Sequence, residues 1–372
     1  MNLNVKDSKR SFSRVSNTFK SVVNIGKNKV KSTLSKEKTD KDFCYNSLTK
    51  VSRSFALVIQ QLPEELKDAI AVFYLVLRAL DSIEDDMTVD GEFKNSTLKT
   101  FYSKCLNTSY CLVNIGENEN EVELLEQYYK VARFMTTLKP EYQKAIQNIT
   151  QLMGEGMADY AEMEIKTTAD YDKYCHYVAG LVGIGLSDIF AASGLEDINL
   201  KDEKELSNSM GLFLQKTNIT RDYQEDIYAD RFFWPEQIWK NYAEEKDFFV
   251  KNPDNQISLD CLNDMVLNAM SHLPDAIEYM NKLQNEQVFR FCAIPQIMAL
   301  ATLSKLYNNA DTFKGIVKIE RSLTLEIFSA IKNMDDFKFY YDKFMKEMSS
   351  KNLSNSIHFE TFNILNNSIK FN

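Results

Sequence analysis

The stretch Tyr74–Asp86, YLVLRALDSIEDD, has an apolar body with one arginine and ends in Asp81, Glu84, Asp85 and Asp86. It closes a longer run, LPEELKDAIAVFYLVLRALDSIED (62–85), in which Pro63 stands where a first helical turn tolerates it. Glu64 and Glu65 follow where acids favour a helix start. The pattern predicts a long helix. On it Asp81 and Asp85 lie about 40° apart around the axis, with Glu84 on the same side. Like charges on one face weaken an isolated helix. A divalent cation removes that repulsion, and carboxylate, water and phosphate oxygens are what Mg²⁺ accepts. Acidic helix faces are also common on plain surfaces, so this stretch alone leaves both readings open.

A second stretch changes the balance. QKTNITRDYQED (215–226) places Asp222 and Asp226 four apart at the end of a helical run, Lys204–Asp226, with Arg221 beside them. Two acidic pairs on otherwise apolar helices suggest two walls of one cleft, the way helix bundles build metal sites. The ligand would be a diphosphate, with Mg²⁺ bridging carboxylates to phosphate oxygens and arginines holding the remaining charge.

The rest of the chain fits long helices. It has 372 residues, 44% hydrophobic, with only 11 glycines and 6 prolines, which argues against a turn-rich all-β protein. Further helical stretches run through Glu121–Thr137, Pro140–Ile165, Asp170–Ala192, Ser258–Leu283 and Gln287–Tyr307, with loops in 107–120 and 253–256. The fold class is all-α, in one domain over 42–350. Residues 1–41 carry a charge of about +8 against about −17 for the remainder, and read as a basic, disordered tail. Residues 351–372 read as a polar C-terminal tail. The net charge of −9 gives no reason to expect nucleic acid as a partner. Six scattered cysteines without a CxxC pair read as free thiols, and His176, His272 and His358 have no zinc-ligand spacing. No apolar run reaches the roughly 18–20 residues of a membrane helix, since the best, from Leu181, is interrupted by Asp188. No secretory signal stands at the start.

Other stretches could furnish the cleft. VSRSFA (51–56) offers Ser52, Arg53 and Ser54 as phosphate contacts, or an ordinary helix cap. YCHYVAGLVGIGLS (174–187) has Gly180, Gly183 and Gly185 in a helical run, which suits close helix packing and is no dinucleotide fingerprint. Tyr177 in that run is either a cavity proton donor or acceptor or a core residue, and His176 reads as structural. In VFRFCAIPQIMALATL (288–303), Phe289 and Phe291 either stack on a carbocation or fill the core.

Taken together, SRSFA, YLVLRALDSIEDDMT, YCHYVAGLVGIGLS, GLFLQKTNITRDYQED, FWPEQIW and FCAIPQ resemble the squalene synthase (farnesyl-diphosphate farnesyltransferase) family of head-to-head prenyl synthases, in that family's order, from about Asp42 to Arg321. The acidic pairs alone would also fit phytoene synthase; FCAIPQ and the QKTNITRDY context favour squalene synthase. The resemblance implies an all-α isoprenoid-synthase bundle around a central cavity. It implies that two farnesyl diphosphates condense to presqualene diphosphate, which NADPH reduces to squalene. By the same resemblance Asp81, Glu84, Asp85, Asp222 and Asp226 are Mg²⁺ ligands, and Tyr177 and Tyr74 are catalytic or cavity tyrosines. Arg53, Arg78, Arg221 and Lys318 match positions that hold NADPH or diphosphate, with Ser52, Ser54, Gln215, Asn218, Phe289 and Phe291 on the substrate. A monomer on the cytosolic face of the endoplasmic reticulum membrane is the implied setting, a cytoplasmic one the alternative. Two departures stand out. After FKGIVKI (313–319) the family has a basic pair and glycine where this chain has Glu320, Arg321 and Ser322. The family also ends in a hydrophobic anchor, where this chain runs through a polar tail to Asn372. Alternatives are a synthase that stops before reduction, and a non-catalytic lipid-binding helical protein.

Overall fold

The computed structural model describes residues 39–160, 163–351 and 358–371, the side chains of Arg53 and Ser54 excepted. The expected basic tail lies outside these residues, apart from its last three. There, Thr39 already caps the first helix in a reciprocal box with Asp42.

Helices carry the described chain, and no strand occurs among the described residues. The N-terminal half contains α1 (Asp40–Val51), α2 (Arg53–Ile59), α3 (Glu64–Asp85), α4 (Gly91–Thr100), α5 (Glu119–Glu126), α6 (Tyr128–Met135), α7 (Pro140–Tyr160), α8 (Thr168–Cys175) and α9 (Leu181–Ser193). After these come α10 (Lys204–Arg221), α11 (Tyr223–Tyr228), α12 (Gln256–Met270), α13 (Leu273–Asn281), α14 (Glu286–Leu306), α15 (Arg321–Ala330), α16 (Met334–Lys351) and α17 (Phe359–Ser368). Two of them are central. Helix α3 is packed by α1, α2, α4, α5, α6, α7 and α9, and α10 by α8, α9, α11, α12, α13 and α14. Helix α9 touches both, so the two halves share one core.

Close packing against α10 depends on glycine. A Cβ on Gly183 would lie 2.0 Å from the Ser207 carbonyl oxygen, and one on Gly211 would lie 2.2 Å from that of Ala179. Only hydrogen fits there, as the reading of the glycine-rich run as a packing face requires. Between α8 and α9 the chain makes a π turn, His176–Gly180, inside what the sequence reads as one helix. Such turns insert a residue and re-aim the side chains around it. His176 is structural, its Nδ1 2.7 Å from Asn208 Oδ1.

Several expected helices are split. The stretch 121–137 breaks at Gln127, and 258–283 breaks at Ser271 and His272, just ahead of Pro274. The run Lys204–Asp226 breaks at Asp222, where φ is −91° and ψ 11°. Within the polar C-terminal tail, residues 359–368 form α17. Its Phe362 is buried near the Tyr307 ring, and His358 is buried with Nε2 3.1 Å from Asp264 Oδ1. The apolar spacing Phe359, Phe362, Leu365 supplies a helical face that the polar composition hid. All six cysteines are free.

Two helical segments, Thr168–Ser193 and Glu286–Leu306, have the length and mean apolar character of a membrane span, although charged residues interrupt both. Both belong to the core: 56% and 89% of their most apolar windows are buried inside the fold.

Candidate active site

A cavity lies between the two central helices. About 1040 Å³ of atom-free space lies there, the solvent at its open mouth included. Tyr74, Leu77 and Arg78 of α3 line it on one side, and Met210, Gly211 and Leu214 of α10 on the other, with α2, α9 and α14 completing the wall. The wall is aromatic. Phe55 stacks on Tyr74 with ring centroids 4.9 Å apart, and Phe291 meets Phe55 and Phe190 edge-on at 6.4 and 6.1 Å. Such a lining is dry and presents ring faces and edges to whatever enters.

The acids stand at the C-terminal ends of α3 and α10, further along the same two helices. The last turn of α3 contains no basic residue. Carboxylates there oppose the helix dipole, an arrangement that a cation relieves. Ligand atoms of Asp81, Glu84 and Asp85 all lie within 4.8 Å of one another, the one such group among the described residues. Asp81 is fully buried. Burial, and then the neighbouring Asp85 charge, push its carboxyl well above the usual range, with Arg78 pulling the other way. Arg78 is 8% exposed and bonds Asp81 Oδ2 at 3.2 Å with Nη1, while Nη2 makes a short ion pair with Glu121. In this cluster Asp81 Oδ1 and Arg78 Nε are buried without a hydrogen-bond partner among the described residues. An unsatisfied acceptor on a carboxylate cluster and an unsatisfied donor at the cavity wall fit a cation and an anion respectively. The residues therefore fit Mg²⁺ with a phosphate-bearing ligand.

Asp222 is also buried, and takes a two-pronged bond from Arg221, Nε to Oδ1 and Nη2 to Oδ2, each 2.7 Å. The helix break at Asp222 does not separate the pair, because the Asp226 N–H still bonds the Asp222 carbonyl at 3.0 Å and keeps one helical turn between them. Asp226 lies 3.6 Å from Arg231. Asp86 plays another part. It is buried, accepting from Gly116 N–H at 2.9 Å and from Thr88 N–H at 2.9 Å, and is a structural acid.

The other candidates divide. Ser52 caps α2, accepting from Phe55 N–H at 3.3 Å. Burial pushes the Tyr74 hydroxyl up, while Arg78 and a hydrogen bond with Ser52 hold it back. Gln215 and Asn218 are buried on α10. Phe291 faces the cavity, whereas Phe289 is a core residue absent from the lining. Tyr177 lies in the π turn, half-buried, near Tyr160 and His176 at 5.4 and 5.3 Å, and is not in the lining either. Lys318 is exposed on the segment between Lys314 and α15, away from the cavity lining. Glu320 is exposed and pairs with Lys305 at 3.5 Å. The side chains of Arg53 and Ser54 are among those left undescribed. Of the described basic residues, Arg78 and Arg221 are engaged by carboxylates, and Lys318 is exposed outside the cavity lining. Glu121, Phe55 and Phe190 were not singled out by sequence reasoning.

The sequence matches the Squalene/phytoene synthase family over residues 48–323. The chain belongs to that family. Among its relatives it is 49% identical to squalene synthase of Solanum lycopersicum, over 79% of this chain and 71% of that one. It is 47% identical to squalene synthase 1 of Arabidopsis thaliana, over 81% and 73%. The fold resembles TcSQS in complex with ligand BPH1237, with a TM-score of 0.86 at 42% identity, covering 88% of this chain and 97% of that one. The all-α isoprenoid-synthase architecture expected from the sequence is thus the observed one.

Proposed function

We propose that this member of the family condenses two farnesyl diphosphates to presqualene diphosphate and reduces that intermediate with NADPH to squalene. The observation that carries the reading is the joining of an aromatic cavity to a carboxylate cluster whose buried Asp81 keeps an open oxygen beside an open Arg78 Nε–H. Asp81, Glu84 and Asp85 would hold Mg²⁺, with Asp222 and Asp226 as the second set of ligands. When bound, the ion supplies charge to the departing diphosphate. The protein's own residues do the rest. Arg78 and Arg221 take phosphate charge, Tyr74 sits at the rim with a hydroxyl kept protonated by burial, and Phe55 and Phe291 exclude water from the cation left behind. Sequence relatives that are squalene synthases support the reading.

The finer points rest on the resemblance: dependence on Mg²⁺ and NADPH, a monomer, and a place at the cytosolic face of the endoplasmic reticulum. One observation favours a second reading, a synthase that stops at presqualene diphosphate or a dehydro product. Glu320 stands where the family has a basic residue, and it engages Lys305. Product identification from farnesyl diphosphate and Mg²⁺, with and without NADPH, decides between them. Squalene formed only with NADPH supports the first reading. The same product in both conditions supports the second.

A further inference from the structure

Glu121 is buried at 3% exposure, yet it comes from a helix that contributes nothing to the cavity lining. It reaches across from the first turn of α5 to pair with Arg78, on the guanidinium nitrogen that Asp81 does not take. Its other oxygen accepts the Glu117 N–H at 3.0 Å. Next to that, Gly116 has φ 130°, donates to Asp86, and would bring a Cβ within 2.9 Å of Glu121 Cβ. Two bonds, Glu121–Arg78 and Gly116–Asp86, therefore tie the 116–121 segment to the acidic end of α3. A buried carboxylate is costly to hold without a paired charge, and here the partner is an arginine already adjacent to a carboxylate.

The consequence concerns Asp81. Arg78 and Asp81 are both almost wholly buried on one helix, three residues apart, so an undivided guanidinium would close on Asp81 and neutralise it. The observed Arg78–Asp81 contact of 3.2 Å is long for a charge-assisted bond. Arg78 instead leans toward Glu121, and Asp81 Oδ1 stays open. We infer that Glu121 is a positioning residue: it draws Arg78 off Asp81 and so keeps the carboxylate cluster available to a divalent cation. This rests on the reading of Asp81, Glu84 and Asp85 as Mg²⁺ ligands.

The test is Mn²⁺ binding to the full chain, followed by loss of the free-ion electron paramagnetic resonance signal, with and without inorganic diphosphate. Glu121→Gln keeps shape and should weaken Mn²⁺ binding roughly 10- to 100-fold, the usual effect of removing a partner behind a ligand. Glu121→Asp keeps the charge but shortens the reach, and should fall between Gln and the native residue. In an Arg78→Gln background, Glu121→Gln should add little, because its action runs through Arg78. Should Glu121→Gln fail to fold, as judged by circular dichroism and thermal melting, Glu121→Asp carries the comparison. Native Mn²⁺ affinity in folded Glu121→Gln, or full additivity with Arg78→Gln, overturns the inference. Asp81→Asn provides the separate control. If it leaves Mn²⁺ binding intact the ligand reading itself fails, whereas lost binding there beside native affinity in Glu121→Gln removes only the role of Glu121.

Discussion

The C-terminal ends of α3 and α10 carry the same residue types, arginine and aspartate, in different arrangements. At α10 the pairing is between sequence neighbours. Arg221 and Asp222 are joined by two 2.7 Å bonds, both 3% exposed. At α3 the arginine is divided between Asp81 and Glu121, leaving one Asp81 oxygen and the Arg78 Nε without partners. One end joins both prongs of its arginine to one aspartate, and the other leaves two polar atoms open. The open end sits beside the 4.8 Å carboxylate group and suits the first capture of a cation.

The largest expected effect tests what the two ends share. Asp81→Asn and Asp222→Asn should each lower squalene formation by at least about 100-fold, measured at saturating farnesyl diphosphate and Mg²⁺. If either variant keeps native turnover, that end is not part of the site.

Stability should then separate the two ends. Burial holds Asp81 above the usual carboxyl range, so its ionised form is disfavoured by folding. Stability from such a group is full below the unfolded value and lost as pH rises through the folded one. Asp81→Asn removes that cost at neutral pH and leaves Arg78 paired with Glu121, so the ligand-free variant should be more stable by about 1 kcal/mol. Asp222→Asn takes the two-pronged partner from a buried arginine and should cost about 3 kcal/mol. Urea unfolding of both variants checks the opposite signs, and equal signs would erase the distinction drawn here.

Helix packing gives the next effect. Gly211→Ala places a methyl 2.2 Å from the Ala179 carbonyl and should destabilise by about 2 kcal/mol, by prising α10 from the π turn. The corresponding change at exposed Gly91, where a Cβ meets nothing within 4 Å, should be near neutral.

A pH-dependent effect is confined to the α10 side. Buried Lys216 bonds Asn268 at 2.8 Å and pairs with Asp172, and His272 lies beside them. Burial, with the Lys216 charge, lowers the His272 pKa to about 4. Its contribution to stability is present above the unfolded value near 6.5 and is lost as pH falls toward 4, on the order of 2 kcal/mol. His272→Gln should flatten the fall in melting temperature over that interval, and an unchanged profile would exclude His272 as its source.

Much of this was legible in the sequence, for physical reasons that differ by residue. Asp81, Glu84 and Asp85 were readable because helical pitch alone brings them together, and Gly183 because an apolar run spends glycine only where backbones touch. The break at Asp222 was not readable: the apolar period continues through it, and only backbone angles record the turn. Glu121 lies beyond any periodicity argument, since it meets Arg78 across 43 positions through a loop whose path depends on Gly116 and Asp86. Helix α17 was hidden by polar composition, although three apolar residues suffice to seat one face. Lys318, which the resemblance assigns to cofactor or diphosphate, is exposed on a link.

On the proposed function, the carboxylates at the ends of α3 and α10 act with Mg²⁺ on an allylic diphosphate in the cavity between them. The direct measurement is product identification from labelled farnesyl diphosphate and the native chain, with Mg²⁺ or with excess chelator, and with or without NADPH. The account predicts squalene with Mg²⁺ and NADPH, presqualene diphosphate with Mg²⁺ alone, and neither under chelator. Undiminished condensation under chelator would contradict it.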